Sequence, residues 1–407
     1  MTLNKFIVIN AIYLFILIIT NFYYPHIVNS NELKSNFNYK YASNSKIDSQ
    51  DYREIQKKNI LGLDLNYTSN VIASRFEINN INKNKFVLDG SFLNLTNGNA
   101  TIGLGSVKRH WTFSPNESLI LSKHSRAIPS VLVKFHSNKE IFLPWSIEAF
   151  NGVTEVDRGP DNAKLFGIRS ILQPTKRLKL ELLQTVQWGG EGYSNDFKTF
   201  SKTFFSDSNN GPYKHINKMA GIGFSYDIPY ANKNLNLYGQ IIGEDESGGL
   251  PTCLINMYGL NLKTKLSSLK FTIGFETIDT RTYISSSGNC GENAAYNNSV
   301  YSYTHYNKIL GAEVDTEGKS MELYSSLALN NSISAEYSIK KQIINDSNLT
   351  VHRLSNKRQK GFNSSLHLHW KKDKLTTKVG LFYQDFTLEN INLKKGAYFT
   401  LSSSLKF

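Results

Sequence analysis

The chain ends in Gly396-Ala-Tyr-Phe-Thr-Leu-Ser-Ser-Ser-Leu-Lys-Phe407. Ala397, Phe399, Leu401, Leu405 and Phe407 occupy one set of alternate positions, and Tyr398, Thr400, Ser402, Ser404 and Lys406 occupy the other. Strand side chains point alternately to two faces, so this is a strand with one apolar and one polar side. The same period recurs upstream. In 234–241, Leu235, Leu237 and Ile241 oppose Asn234, Asn236, Tyr238 and Gln240. In 362–370, Phe362, Leu366, Leu368 and Trp370 oppose Asn363, Ser365, His367 and His369. Clusters of Asn, Gly, Asp and Ser, the residues of turns, separate such runs.

An apolar and a polar face suit either a soluble sandwich or a membrane barrel with a water-filled lumen. The number of runs decides between them. About eighteen alternating spans lie from 61–78 to 396–406, with 299–306 and 309–315 among them, and single-chain bacterial barrels have an even number. From a periplasmic N-terminus, connections 94–98, 172–176, 265–268, 307–308, 330–331 and 370–374 fall inside and are short. Connections 107–129, 187–217, 243–253, 279–298, 342–360 and 385–395 fall outside and are long, as is the rule for such barrels. The expected fold is all-β: a transmembrane antiparallel up-and-down β-barrel of about 18 strands over 61–407. Phe407, with Phe399, Leu401 and Leu405 on its face, resembles the C-terminal signal that the barrel assembly machinery reads.

Composition agrees. Of 407 residues, 40% are hydrophobic and 19% charged, with 22 Tyr and 24 Phe to supply interfacial girdles. Lys5 followed by the apolar run Phe6 to Ile19 reads as a secretory signal, with removal between Tyr24 and Asn31, so 1–30 is assigned as signal peptide. Residues 31–60 are polar, without a sustained period, and read as a periplasmic linker. The net charge of +13 can attract nucleic acid, anionic lipid or acidic polysaccharide. Export argues against nucleic acid, and no zinc-finger spacing, P-loop or dinucleotide fingerprint is present. No cofactor is called for. Cys253 and Cys290 fall in neighbouring outer loops of an exported chain, where a disulfide can persist.

The outer loops hold the unusual chemistry. Arg109 and Trp111, Asp157 and Arg158, Trp188, and Glu244 and Asp245 gather at one mouth. An aromatic ring covers the apolar face of a pyranose, and charged groups take its hydroxyls, so these are carbohydrate-binding candidates. The bland alternative is that the charges pair to fill the lumen. Arg353, Lys357, Arg358 and Lys360 form a basic outer loop suited to lipopolysaccharide phosphates or an acidic glycan. Glu244 and Asp245 point to opposite faces and make a poor glycosidase pair. His367 and His369 share the polar face, where a solvated pair is the simpler reading than a metal site. No enzymatic activity and no metal are expected.

Several stretches together resemble the capsule assembly protein Wzi family. They are Phe86-Val-Leu-Asp-Gly-Ser91, Arg109-His-Trp111, Ser118-Leu-Ile-Leu-Ser122, Val156-Asp-Arg158, Arg169 to Pro174, Trp188-Gly-Gly190, Gly243-Glu-Asp245, Pro251, Gly259 and Tyr306 to Asp315. The resemblance implies a lectin-like outer-membrane barrel that binds capsular or other exopolysaccharide and assists its attachment at the cell surface. Outer-membrane lipids, lipopolysaccharide and the assembly machinery are its implied partners. Better-known members carry a periplasmic helical bundle ahead of the barrel, where this chain has about thirty polar residues, so a role that depends on the bundle is not implied. A general or sugar-selective porin is the competing expectation.

Overall fold

A computed structural model describes residues 32–43, 59–82, 85–137, 143–205, 216–230, 233–247, 250–266, 269–282 and 290–407. The signal-peptide assignment lies outside these residues. The strands are β1 (Glu32–Ala42), β2 (Asn59–Thr68), β3 (Ile72–Asn82), β4 (Lys85–Val87), β5 (Phe92–Asn97), β6 (Ala100–Val107), β7 (Ile128–Ser137), β8 (Trp145–Val153), β9 (Lys164–Leu172) and β10 (Leu178–Trp188). A short helix, α1 (Phe197–Phe205), precedes β11 (Asn217–Tyr230), β12 (Lys233–Ser247), β13 (Leu250–Leu266) and β14 (Leu269–Asp279). A small hairpin, β15 (Thr304–His305) and β16 (Lys308–Ile309), stands apart from the main sheet. The rest are β17 (Lys319–Ala328), β18 (Ile333–Ile344), β19 (Gln359–Lys372), β20 (Leu375–Gln384) and β21 (Gly396–Lys406).

Each strand of the main sheet pairs antiparallel with its sequence neighbours, and β1 pairs with β21 to close the wall. β4 and β5 share one wall position beside β3, so the barrel has 18 staves. The break between them is built by side chains. The Ser91 hydroxyl accepts from Glu77 N and donates to Glu77 O, both at 2.9 Å, replacing the ladder bonds lost where the main chain leaves the wall. Gly90 turns the chain at φ +96°, a conformation that favours glycine.

The wall is apolar outside and polar inside. Leu182, Ile102, Val131 and Ile222 are 63%, 60%, 58% and 56% exposed, while Glu181 and Gln240, on the lumen face, are each 1% exposed. This inversion of the soluble pattern is what a barrel surrounded by hydrocarbon requires. On the lumen face Tyr238 lies over Gly259, its partner across β12 and β13, and a Cβ there would collide with the ring. Among the described residues no helix is long and apolar enough to cross a membrane; the strands do so.

Four sequence expectations need correction. Residues 32–42 are a stave and not a linker: β1 runs in register with β2 from Glu32↔Thr68 to Tyr41↔Asn59, and with β21 from Asn36↔Lys406 to Ala42↔Thr400. The span 61–78 is two strands, separated at residues 69–71, where Ile72 N donates to the Ser69 hydroxyl at 3.0 Å. Spans 299–306 and 309–315 are not staves; they belong to the long β14–β17 connection, which bends into the lumen. Connection 307–308 accordingly falls within the β15–β16 hairpin, whose tip is Tyr306–Asn307 at the outer end, and is not an inner turn. The other short connections lie at the end where β1 starts and β21 stops, and the long ones lie opposite, except that 243–253 is no long loop: β12 and β13 stay paired through it from Gly243↔Leu254 to Ser247↔Leu250, which puts Glu244 and Cys253 on the wall.

A stave is paired on both sides and a linker is not, so one proline separates the two readings. Asn38→Pro removes a ladder donor at a cost of about 3 kcal/mol or more. The expected outcome is a marked loss of the folded, heat-modifiable form on unboiled gels; an unchanged folded fraction would remove β1 from the wall.

Candidate functional site: a plug in the outer mouth

Two outer loops fold back into the barrel. The β6–β7 loop carries an apolar core, Leu119-Ile-Leu121, between two serines, and all three apolar side chains are buried. Such a segment is stable in a lumen only if its backbone groups find partners. They do. Leu119 N donates to Gln240 Oε1 at 2.8 Å, and Gln240 Nε2 donates to Trp111 O at 2.8 Å. Tyr296 OH donates to Leu119 O at 2.7 Å and Tyr303 OH to Ile120 O at 2.8 Å. The Ser118 hydroxyl caps Trp111 O at 2.9 Å, and the Ser122 hydroxyl donates to Gly311 O at 2.6 Å. The β14–β17 loop supplies both tyrosines, whose rings stack with centroids 5.8 Å apart. A disulfide between Cys253 on β13 and Cys290 ties this loop to the wall.

The underside of the plug is charged. Ser114 donates to Glu276, and Asn116 Nδ2 donates to Glu322 at 3.1 Å. Lys340 Nζ lies 2.9 Å from Glu313 and 3.4 Å from Glu117, which also accepts from His124 Nε2 at 2.6 Å. Ligand atoms of Glu117, His124 and Glu313 lie within 4.8 Å of one another, close enough to hold a cation. The ammonium of Lys340 already supplies positive charge there, so this set is a buried ion network.

The outer side is a shelf. Glu155 on the β8–β9 loop accepts from His305 Nδ1 at 2.5 Å and Tyr306 N at 2.6 Å. Arg158 donates to Thr304 O and Ser302 O, each at 2.6 Å. Together they clamp the β15–β16 hairpin over the mouth. Arg126 forms a two-pronged pair with Asp89 at 2.8 and 3.0 Å, and its guanidinium lies 4.1 Å from the Tyr306 ring centre.

The sequence candidates divide accordingly. Trp111 is 2% exposed and meets Phe150 edge-on at 5.3 Å; Trp188 is 4% exposed against Val186, Ile216 and Phe200. Neither ring offers a face to a sugar, because each fills core space. Arg109 lies 3.7 Å over Phe150 and donates to the Ser130 hydroxyl, and burial pushes its pKa down to about 10. Glu244 accepts from Tyr296 N at 3.0 Å. The side chain of Asp245 lies outside the described residues. Asp157 is exposed, with φ +67°. Arg353 pairs with the buried Asp315, and Arg358 pairs with Asp346, while Lys357 and Lys360 are exposed. His367 and His369 lie side by side on the lumen face, ring centres 6.5 Å apart. Sequence reasoning missed Gln240, Tyr296, Tyr303 and Asp315. The alternation of Tyr301 and Tyr303 was the available signal, and it imitates a strand.

Two outcomes follow. Gln240→Leu leaves the buried Leu119 N without its partner, at about 1–3 kcal/mol, and removes one of the two donors to Trp111 O; ion-conducting openings absent from the parent should appear in planar bilayers, and an equally silent variant would mean the loop is anchored otherwise. Burial alone would raise the Asp315 pKa, but the bonded Arg353 guanidinium and the nearby His352 hold it below the usual range. A depressed carboxylate stabilises above its unfolded pKa of about 4 and ceases to as pH falls through its folded value. Arg353→Ala should therefore loosen the loop at neutral pH, by about 3 kcal/mol, and the parent loop should become protease-sensitive only below about pH 4; equal cleavage of parent and variant at pH 7 would dismiss the pair as an anchor.

Known proteins share this architecture. Escherichia coli Wzi, described as an outer membrane protein involved in group 1 capsule assembly and a carbohydrate-binding β-barrel, superposes with TM-score 0.76 at 19% identity, over 92% of this chain and 84% of that one. Pseudomonas aeruginosa OccD3 superposes with TM-score 0.52 at 14% identity, over 94% and 92%. At these identities the likeness is one of fold. A Klebsiella pneumoniae protein, described as an uncharacterized 55.8 kDa protein in the cps region, is 27% identical over 188 residues, spanning 44% of this chain and only 37% of that relative. The family model described as capsule assembly protein Wzi matches residues 29–401, and the chain belongs to that family.

Proposed function

We propose that this outer-membrane barrel binds a capsular or related surface polysaccharide at the outer face of its plugged mouth and assists its attachment to the cell. The observation that carries the reading is the plug itself. Two loops fill the outer lumen with a buried apolar core whose backbone is satisfied by Gln240, Tyr296 and Tyr303. A general porin needs an open channel there. What the plug offers instead is a fixed outer surface on a rigid wall, which suits a binding protein. The description of Escherichia coli Wzi as carbohydrate-binding supports the same class of ligand.

The exposed groups of the shelf are the contacts. Tyr306, 37% exposed, sits on the hairpin that Glu155 and Arg158 hold, with Arg126 against one face of its ring, and Asp157 is exposed on the same β8–β9 loop as Glu155 and Arg158. Next to it the β10–β11 loop packs on the β8–β9 loop through Glu191 N to Asp161 O, and carries Asn195 and the 80%-exposed Phe197. Ring faces beside carboxylate and amide groups fit pyranose recognition. Buried Arg158, Trp111 and Trp188 act here by positioning the shelf. The exposed Lys357 and Lys360 extend the surface toward lipopolysaccharide phosphates. Phe399, Leu401, Leu405 and Phe407 form the row offered to the barrel assembly machinery. The role is binding rather than catalysis.

The test uses cells of the native host. Asp157→Ala with Tyr306→Ala should release several-fold more polysaccharide into the medium while the folded barrel persists at its usual level. Cell-bound polysaccharide equal to that of the parent would remove the shelf as the binding surface.

A further inference from the structure

Exposed basic residues also gather at the rim opposite the outer mouth. The turn after β9 carries Lys176 and Arg177, the turn after β13 is flanked by Lys265 and Lys270, and the turn after β19 by Lys371, Lys372 and Lys374. All of these are exposed. Asp373 is the sole carboxylate among those turn segments. At this end lies the mouth of a cavity of about 760 Å³, which reaches from the inner rim to the underside of the plug.

The cavity has three levels. Lys179, Lys263 and Lys378 line its mouth, together with Asp227, which accepts from Asn236, and Glu336, which pairs with His369. Above them comes a belt of amide and hydroxyl groups, among them Asn236, Asn261, Tyr324, Ser326, Ser338 and Ser365. The roof is the network of Glu117, Glu313 and Glu322 with Lys340. A concave, low-dielectric wall with an excess of one sign of charge around its opening concentrates field lines and draws in ions of the other sign, and here the basic rim turns and the three mouth lysines outweigh Asp227, Glu336 and Asp373. The mouth lysines point into the lumen, as their strand neighbours show: Lys179 shares a face with Glu181, and Lys263 with Asn261, both buried. Lipid headgroups lie on the other side of the wall, beyond their reach. What satisfies both levels is a molecule with spaced anionic groups and many hydroxyls.

We infer that the inner vestibule is a second glycan site, which takes an acidic polysaccharide from the periplasmic side. Its carboxylates or phosphates meet the rim and mouth lysines as point charges, and its hydroxyls meet the amide and serine belt. The acidic roof repels it, so it stops beneath the plug. The ligand class rests on the glycan-binding reading above, but the site is separate from the outer shelf.

The test is equilibrium binding to the purified full-length barrel in detergent, at low and at physiological salt. Oligogalacturonate is the acidic probe. A maltooligosaccharide of the same length and a polyglutamate of the same charge are the comparisons. Oligogalacturonate should bind at least tenfold tighter than either, and weaken as salt rises. Lys179→Gln with Lys263→Gln and Lys378→Gln should cost at least tenfold, while the corresponding Lys→Arg triple retains binding and both triples keep heat-modifiable migration. Asp157→Ala with Tyr306→Ala should leave this binding unchanged, so a failed shelf with an intact vestibule tells the two proposals apart. Equal affinity for polyglutamate, or indifference to the Lys→Gln triple, overturns the inference.

Discussion

A strand edge facing hydrocarbon leaves a row of N–H and C=O groups with nothing to bind, each costing several kcal/mol. The β1–β21 pairing removes that edge and joins the two ends of the chain in one seam. The other features follow from this closure. Once the wall is complete, each residue faces either lipid or lumen, so alternation is imposed on every stave. The lumen then has room for polar chemistry, and the chain fills its outer half with its own loops.

The plug shows how a lumen accommodates charge and apolar surface together. Its apolar residues bury one another, and its backbone is capped by long polar side chains from the wall and from the β14–β17 loop. Its charges come in sets: Arg169 with Glu181, Arg126 with Asp89, Arg353 with Asp315, Lys340 with Glu313 and Glu117. Leaving one such charge unpaired costs far more than the pair contributes. Arg and carboxylate residues that look like ligand contacts are therefore more often fasteners, and the groups left to meet a ligand are the exposed ones at the two rims.

The wall was legible wherever the alternation was strong. Asn234 to Ile241 and Phe362 to Trp370 have the faces their sequence assigns, because nothing but lipid and lumen acts on them. β1 was not legible, although Leu33, Phe37, Tyr39 and Tyr41 do fall on alternate positions; the Lys and Asn between them resemble a loop. Two spans of the β14–β17 loop, 299–306 and 309–315, were counted as staves because they completed an even set with short inner and long outer connections, whereas Tyr301, Tyr303, Leu310, Ala312 and Val314 are in fact buried. Two omissions, β1 and the division of 61–78, precede the long loops and the two surplus spans follow most of them, so parity survived along the whole chain and the total stayed at eighteen. The site was less legible than the wall. Trp111 and Trp188 have the residue type of a sugar platform, but only packing against Phe150 and Phe200 reveals that no face remains free.

The seam has a consequence for how the barrel can be extended. Glu32 opens β1 and Lys406 ends β21 at the same rim, and Phe407 N donates to Ser35 O across the join at 3.1 Å. Any segment attached ahead of β1 or behind β21 must leave at the vestibule, and none can emerge beside the outer shelf. The two faces are thereby open to different kinds of change: new modules can be added only on the periplasmic side, whereas the outer surface can change only through the loops it already has.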